Sequence, residues 1–199
     1  MLTATAERYL GSLTRLPALP AKLVEASVVA QGARCFDAWL AFHETYAGFV
    51  EPLGSGDFAV WGIVHERPNW LGARQAELDG EVGQATFYVT CADVHPSYVY
   101  RLDQDGEFFT PPAQAFETRV ERRALLWDFA QGGRLRPMPA MERNRPEVLA
   151  GLREAIAAGG ELCLVPQASD RYFRYFRDAT RVVVEDARRG RILQVWRRS

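Results

Sequence analysis

Histidine and cysteine are the side chains of this chain best suited to acid–base or nucleophilic chemistry. His43, His65 and His95 are far apart in sequence, and no two of them have the i, i+3 or i, i+4 spacing that places metal ligands together on a helix. Cys91 precedes His95 closely enough for the imidazole to activate the thiol. Cys91 nevertheless falls within a strand pattern, where cysteine is usually part of the core, and His43 falls on an apolar helix face. We therefore expect no catalytic residue, metal or cofactor.

A second chemical candidate is the acidic pair Asp103 and Asp105, which resembles the start of a calcium-binding loop. Counted from Asp103, the sixth position of such a loop needs Gly but holds Phe108, and the twelfth needs Glu but holds Gln114. Because Gly106 follows Asp105, we interpret the pair as part of a tight hairpin turn.

The C-terminal third interleaves arginines with aromatic residues. The segment contains Arg171, Tyr172, Arg174, Tyr175, Arg177 and Arg181. On a surface, such a pattern would neutralise phosphates and stack the bases of a single strand of nucleic acid. The same pattern arises when the rings pack inward and the arginines face water or pair with the acidic first half of the chain, and we favour that interpretation. The alternative is a nucleic-acid-binding protein or a small enzyme that uses Arg174 with His95, Cys91 or Tyr100.

An acidic segment with one tryptophan is the best candidate for binding a protein. Exposed carboxylates beside an aromatic anchor give fast association with a basic partner. A nuclease-like toxin would be such a partner, whereas the simpler interpretation is a solvated loop. With the hairpin acids, the predicted partner-binding residues are Trp70, Glu77, Asp79, Glu81, Asp103 and Asp105.

Composition and charge place limits on the class of protein. The 199 residues are 48% hydrophobic and 25% charged, which is typical of a globular chain. Residues 1–110 hold 7 Lys or Arg against 14 Asp or Glu, while residues 171–199 hold 9 against 3. The acidic and basic parts can steer charged partners or neutralise each other. The three cysteines are expected to be buried and reduced, and no signal peptide or membrane span is evident, so we expect a cytoplasmic protein.

Hydrophobic periodicity predicts the elements that position these residues. Residues 86–110 alternate like a three-stranded meander, and helical spacing is clearest over Arg34–Ala47, Ala113–Ala130 and the segment that starts at Pro146. Helical spacing also recurs over Thr5–Leu16. Other segments predict a turn-rich stretch at 50–56, strands at 58–64 and 162–165, and a terminal hairpin of 181–185 with 192–196.

Together these elements predict an α+β fold with an antiparallel or mixed central sheet, flanking helices and a C-terminal α/β extension. We predict a domain over residues 1–131, a linker-like segment over 132–146, and an extension over 147–199.

The order of elements resembles the SUKH superfamily over roughly residues 20–131. The matching pieces are Phe42, Tyr46 and Gly48 around the end of a helix, Trp61-Gly62-Ile63 in a strand, and Asp105-Gly106 in a hairpin. The resemblance implies an α+β fold and, for bacterial members, an immunity protein that binds and neutralises a cognate toxin without catalytic residues. Residues 132–199 have no counterpart in it.

Overall fold

The computed structural model describes residues 1–30, 34–54, 57–65, 78–79, 88–90, 101–103, 105–109 and 114–198. It combines helices with antiparallel sheets, which confirms the predicted α+β class. Two compact units divide the chain, one made of Met1–Leu10 with Glu117–Ser199 and the other of Gly11–Phe116. We call them the terminal unit and the central unit. Within the described ranges, no helix combines the length and the apolar character that crossing a membrane requires.

The elements of the described chain are as follows. The helices are α1 (Ala4–Ser12), α2 (Ala21–Ala30), α3 (Asp37–Tyr46), α4 (Phe116–Gln131), α5 (Ala140–Arg143) and α6 (Pro146–Ala158), with a 3-10 helix at Pro166–Ala168. The strands are β1 (Thr14–Arg15), β2 (Phe49–Gly54), β3 (Asp57–Val60), β4 (Leu78–Asp79), β5 (Tyr88–Thr90), β6 (Arg101–Leu102), β7 (Glu107–Phe109), β8 (Gln114–Ala115), β9 (Leu135–Pro137), β10 (Cys163–Leu164), β11 (Phe173–Arg177), β12 (Arg181–Asp186) and β13 (Arg191–Arg198).

The predicted meander corresponds to β5, β6 and β7, which pair in that order and antiparallel. Strands β4 and β8 extend it on either side, giving the order β4-β5-β6-β7-β8. The other described strands form two further antiparallel sheets, with the orders β1-β2-β3 and β10-β11-β12-β13-β9. Cys91, His95 and Tyr100, proposed above for the enzyme alternative, lie outside the described residues.

An aromatic cluster fills the core of the central unit. The ring of Phe116 lies 4.8 Å from Phe42, 4.6 Å from Tyr46 and 4.8 Å from Trp61, measured between ring centroids. The contacts with Phe42 and Trp61 are edge-to-face, a favourable geometry for aromatic pairs. Since all four rings are buried, this cluster joins α3 and the residue after β3 to the start of α4.

A glycine connects α3 directly to β2. Gly48 has a φ of +87°, and a Cβ on it would lie 2.0 Å from the carbonyl oxygen of Leu16. Its N–H donates to the carbonyl of Trp61, and its own carbonyl accepts from the N–H of Leu16. The C-cap predicted at Gly48 is instead Ala47, whose backbone is extended, and Gly48 makes the turn that follows. The prediction of a turn over residues 50–56 is wrong for 50–54, because these residues form β2, which has an irregularity in its register between Pro52 and Gly54.

The terminal unit has a sheet with both faces covered. Val182 packs with Leu125 and Phe129 of α4, whereas its neighbour Val183 packs with Leu152 of α6 and other apolar residues. Successive residues of a strand point to opposite faces, so β12 separates two hydrophobic clusters. The hairpin of β12 and β13 confirms the prediction, and the segment Tyr172–Arg177, which is ambiguous in the sequence, contains strand β11 beside it.

The segment 132–146, predicted to be linker-like, contains β9 and α5. Strand β9 pairs with the end of β13, where Arg136 lies opposite Arg197. Helix α6 then begins with Pro146 in its first turn and ends at Gly159, whose φ is +59°. Both features agree with the helix predicted from Pro146 onward.

Helix α1 is attached to α4, far away in sequence. The backbone N–H and the hydroxyl of Thr3 both donate to the carboxylate of Glu121, at 2.6 and 2.8 Å. The rings of Tyr9 and Trp127 lie 5.9 Å apart further along the same pair of helices. The first ten residues therefore belong to the same unit as residues 117–199.

Candidate functional site

The turn between β6 and β7 is built around the side chain of Asp103. Its Oδ1 accepts the N–H of Asp105 at 3.0 Å and that of Glu107 at 2.8 Å. The N–H of Gly106 donates to the Asp103 carbonyl at 3.0 Å, and Gly106 has a φ of +79°. The Asp-Gly pair thus forms the tight reversal predicted for it, with Asp103 as the residue that holds the turn together.

Helix α3 holds this turn in place. The indole N–H of Trp39 donates to the carbonyl of Asp103 at 2.7 Å, and Leu102 beside it is 1% exposed. A Cβ on Gly106 would lie 3.1 Å from the Cβ of Ala38, so the backbone of the turn passes close to the helix. Asp105 at the tip is exposed. The carboxylate of Asp105 is therefore exposed on a turn whose backbone is held in place by α3.

The strand register places further acidic residues beside Asp103. Asp79 pairs with Tyr88, and Val89 pairs with Leu102, so one step along the strands puts Tyr88 opposite Asp103. Asp103 in turn donates its N–H to the carbonyl of Glu107. Asp79, Asp103 and Glu107 consequently lie in one cross-strand row at one end of the sheet. At the usual spacing of strands, Asp79 and Asp103 are about 10 Å apart.

The row brings together only part of the predicted site. Asp79 and Asp103 share it, and Asp105 is next to it at the tip of the turn. Trp70, Glu77 and Glu81 lie outside the described residues. Glu107 is not among the predicted residues. It could have been found from the sequence, because it follows the Asp-Gly turn directly. Pairing the two strands of a hairpin across that turn places Glu107 opposite Asp103. We call Asp79, Asp103, Asp105 and Glu107 the acidic row.

His43 is buried within the central unit and its ring makes contacts on both sides. It is 5% exposed, and its Nε2 lies 2.6 Å from the carbonyl oxygen of Leu19. Since a carbonyl only accepts, Nε2 carries the proton and Nδ1 is left to accept the N–H of Ile63 at 3.4 Å. Both ring nitrogens thus link separate segments of the central unit.

Most arginines of the Arg/aromatic segment pair with acids of their own unit. Arg174 contacts Glu185 at 2.7 Å, and Arg177 contacts Asp128 at 2.8 Å. Arg181 contacts Asp178 within the turn between β11 and β12. The predicted pairing with the acidic first half of the chain is therefore wrong for these three arginines. The acids come from the terminal unit and not from the acidic first half of the chain.

A buried arginine, which the sequence analysis missed, lies beneath this segment. Arg122 of α4 is 9% exposed, and its guanidinium lies 5.2 Å from the ring of Phe173 and 5.1 Å from that of Tyr175. It contacts the carboxylate of Asp170 at 2.8 Å and donates to the carbonyl of Ala168 at 2.9 Å. Burial raises the pKa of Tyr175, and the charge of Arg122 offsets part of that rise. The cluster joins α4 to β11 and leaves little of the guanidinium accessible.

The hydrogen bonds to Asp178 lead to a prediction about how the stability of the protein depends on pH. Burial tends to raise the pKa of this carboxyl, but hydrogen bonds from the side chain of Arg181 and from Thr180 outweigh burial and hold the pKa below its usual value. Asp178→Ala should lower the free energy of unfolding at pH 7 by about 1–3 kcal/mol, since several donors lose their acceptor.

The difference in unfolding free energy between the unsubstituted protein and Asp178→Ala depends on pH in a defined direction. Because the native pKa of Asp178 is depressed, its contribution is complete above the ordinary aspartate pKa of about 4 and is lost as the pH falls through the native value. Urea unfolding of the unsubstituted protein and of Asp178→Ala between pH 7 and pH 2 measures this difference. A difference that stays constant to pH 2 would contradict the prediction.

The two cysteines among the described residues differ from the expectation that they are buried. Cys163 is exposed and Cys35 is half-buried, and both are free thiols. Cys163 lies on the two-residue strand β10, which is at the edge of its sheet and pairs with a neighbouring strand, β11, along one edge only. Burial raises the pKa of the Cys35 thiol, with the nearby carboxylates of Glu25 and Asp37 adding to the effect. Within the described part of the chain, no three His, Cys, Asp or Glu side chains are arranged to hold a metal ion.

Comparison with protein-family models, with curated proteins and with solved structures found no match to this chain.

Proposed function

We propose that this protein is a bacterial immunity protein, whose central unit binds a cognate toxin with a basic surface and occludes the toxin's active surface. The observation that carries the proposal is the acidic row, in which Asp79, Asp103 and Glu107 share one end of a sheet and Asp105 is exposed beside them. Asp103 and Glu107 are opposite each other on neighbouring strands, and Asp79 lies two strands away in the same row. A concentration of acidic residues at one end of a sheet favours a basic partner.

The charge of the central unit supports the same proposal. Residues 11–116 hold 6 Lys or Arg against 13 Asp or Glu, a formal net charge of −7. A field of this sign accelerates encounter with a cationic protein, and fast association suits an inhibitor that must act before its target does harm. The resemblance of Phe42, Tyr46 and Gly48 to the SUKH superfamily supplies the class of partner, a toxin.

The test is binding to the toxin domain encoded beside the gene of this protein. The charge-reversal variant Asp79→Lys with Asp105→Lys leaves Asp103 in place to hold the turn. We expect it to weaken binding by about 30-fold or more, mainly through slower association at low salt, as measured by surface plasmon resonance. Cells that make the toxin domain should then lose protection.

A matched variant controls for net charge. Glu154→Lys with Glu161→Lys changes the charge equally at exposed positions of the terminal unit. Binding should stay within about threefold of the unsubstituted protein, since neither residue belongs to the acidic row. Equal losses in the two variants, or a toxin domain that the unsubstituted protein does not bind, would refute the proposal.

A further inference from the structure

The turn between β12 and β13 carries cations that have no acidic partner among the described residues. Arg188, Arg189 and Arg191 are exposed. Unlike Arg174, Arg177 and Arg181, these three form no ion pair with any carboxylate of the described chain. The arginines of β11 and β12 thus form ion pairs, whereas Arg188, Arg189 and Arg191 lie exposed at one end of the sheet.

A tyrosine lies among these cations. Tyr172 accepts the N–H of Ala187 on its carbonyl at 2.7 Å, which places the start of β11 against the turn. The guanidinium carbons of Arg171 and Arg188 lie 4.9 and 5.5 Å from the centroid of its ring. Both distances are within the range of cation–π contact. We call Arg171, Tyr172, Arg188, Arg189 and Arg191 the basic turn.

The backbone of the turn is fixed independently of the arginine side chains. The Oδ1 of Asp186 accepts the N–H of Arg188 at 2.9 Å and that of Arg189 at 3.1 Å. The N–H of Gly190 donates to the Asp186 carbonyl at 2.8 Å, and Gly190 has a φ of +61°. The arginine side chains can therefore be replaced while the hydrogen bonds that shape the turn stay in place.

We propose that the basic turn binds single-stranded nucleic acid. Guanidinium groups offer N–H donors at their edges for phosphate oxygens and flat faces for bases, and the ring of Tyr172 adds a further flat surface. A nucleic-acid strand alternates anions with flat rings and fits both kinds of contact at once. An acidic peptide offers anions alone, so it would leave the stacking surface unused. The proposal is independent of the proposed function, because it concerns another unit and another set of residues.

The experiment uses the full chain and a fluorescein-labelled oligonucleotide of 12 mixed-sequence deoxynucleotides, in roughly the range of site sizes of single-strand binding domains. Anisotropy titrations between 50 and 200 mM NaCl give affinity and its salt dependence. Arg188→Gln with Arg189→Gln should weaken binding about tenfold or more at 50 mM. It should also flatten the slope of log K against log salt by about 0.7 for each phosphate that the variant no longer neutralises.

Two further variants separate charge from stacking. Tyr172→Leu should weaken binding about fivefold or more while leaving the salt slope unchanged, because the arginines that neutralise phosphates are all retained. Arg136→Gln with Arg153→Gln removes the same charge from exposed positions outside the basic turn and should change affinity less than about threefold. Circular dichroism confirms that each variant is folded.

The outcomes that would overturn the proposal are specific. One is no binding of the oligonucleotide at 50 mM NaCl, and a second is equal loss of affinity in the two double arginine variants. A third is a poly-glutamate peptide that binds as tightly as the oligonucleotide with Tyr172→Leu having no effect, which would mean that the turn recognises acidic protein segments instead.

Discussion

Replacing Phe116 with alanine is expected to lower the free energy of unfolding of the central unit by about 3–5 kcal/mol, the usual cost of removing a buried phenylalanine. The ring is 3% exposed and contacts three other buried rings, so its removal leaves a cavity and breaks several aromatic pairs at once. Phe42 and Tyr46 lie on α3 and Trp61 follows β3, so closing the cavity would require two packed elements to shift towards each other. Urea unfolding followed by tryptophan fluorescence measures the loss.

The control for this variant is an apolar residue of the same unit on the surface. Leu23 of α2 is 54% exposed, and Leu23→Ala should change the free energy of unfolding by no more than about 0.5 kcal/mol. If Phe116→Ala is no more destabilising than Leu23→Ala, the aromatic cluster is not the core of the central unit.

Replacing Arg122 with methionine is expected to destabilise the terminal unit by about 3–5 kcal/mol, the range for breaking a buried ion pair by removing one partner. Methionine keeps an unbranched apolar side chain, so the effect of the change comes mainly from the loss of the guanidinium group. Its loss leaves the carboxylate of Asp170, whose side chain is 17% exposed, without its cation. It also removes the cation–π pairs with Phe173 and Tyr175. Thermal and urea unfolding measure the effect.

A double-mutant cycle shows how much of that effect is unpaired charge. Asp170→Asn keeps an oxygen to accept the N–H groups of Tyr172 and Phe173 but carries no charge. Combined with Arg122→Met, it should recover about 1 kcal/mol or more of the lost stability. Strictly additive losses in the double variant would mean that the two side chains do not act as a pair.

Helices and turns that are determined by neighbouring residues can be predicted from the sequence. Helix α6 follows from Pro146 at its start and Gly159 at its end, and the hairpin turn follows from Asp105-Gly106. The hairpin of β12 and β13 is predictable as well, because alternating residues flank a short polar turn. The same locality makes part of the acidic row predictable, since Asp103 and Asp105 belong to one turn.

Features that depend on distant partners cannot be predicted in this way. The division of the strands into three sheets depends on which edges meet, and β9 looks like a loop in the sequence because its pairing partner is at the other end of the terminal unit's chain. Arg122 is charged and is not expected in a core, yet Asp170 and two rings of β11 make its burial possible. Helix α2 escapes prediction because only Val24 and Val28 of its ten residues are buried, which gives too short an apolar stripe.

The link between Thr3 and Glu121 has a consequence for the order in which this protein folds during synthesis. Helix α1 leaves the ribosome early, but its contacts are with residues made more than a hundred positions later. The central unit is contiguous in sequence and can fold while the rest of the chain is still being translated. The N-terminal helix must therefore wait for its partner, and the terminal unit becomes complete only after β13 has been made.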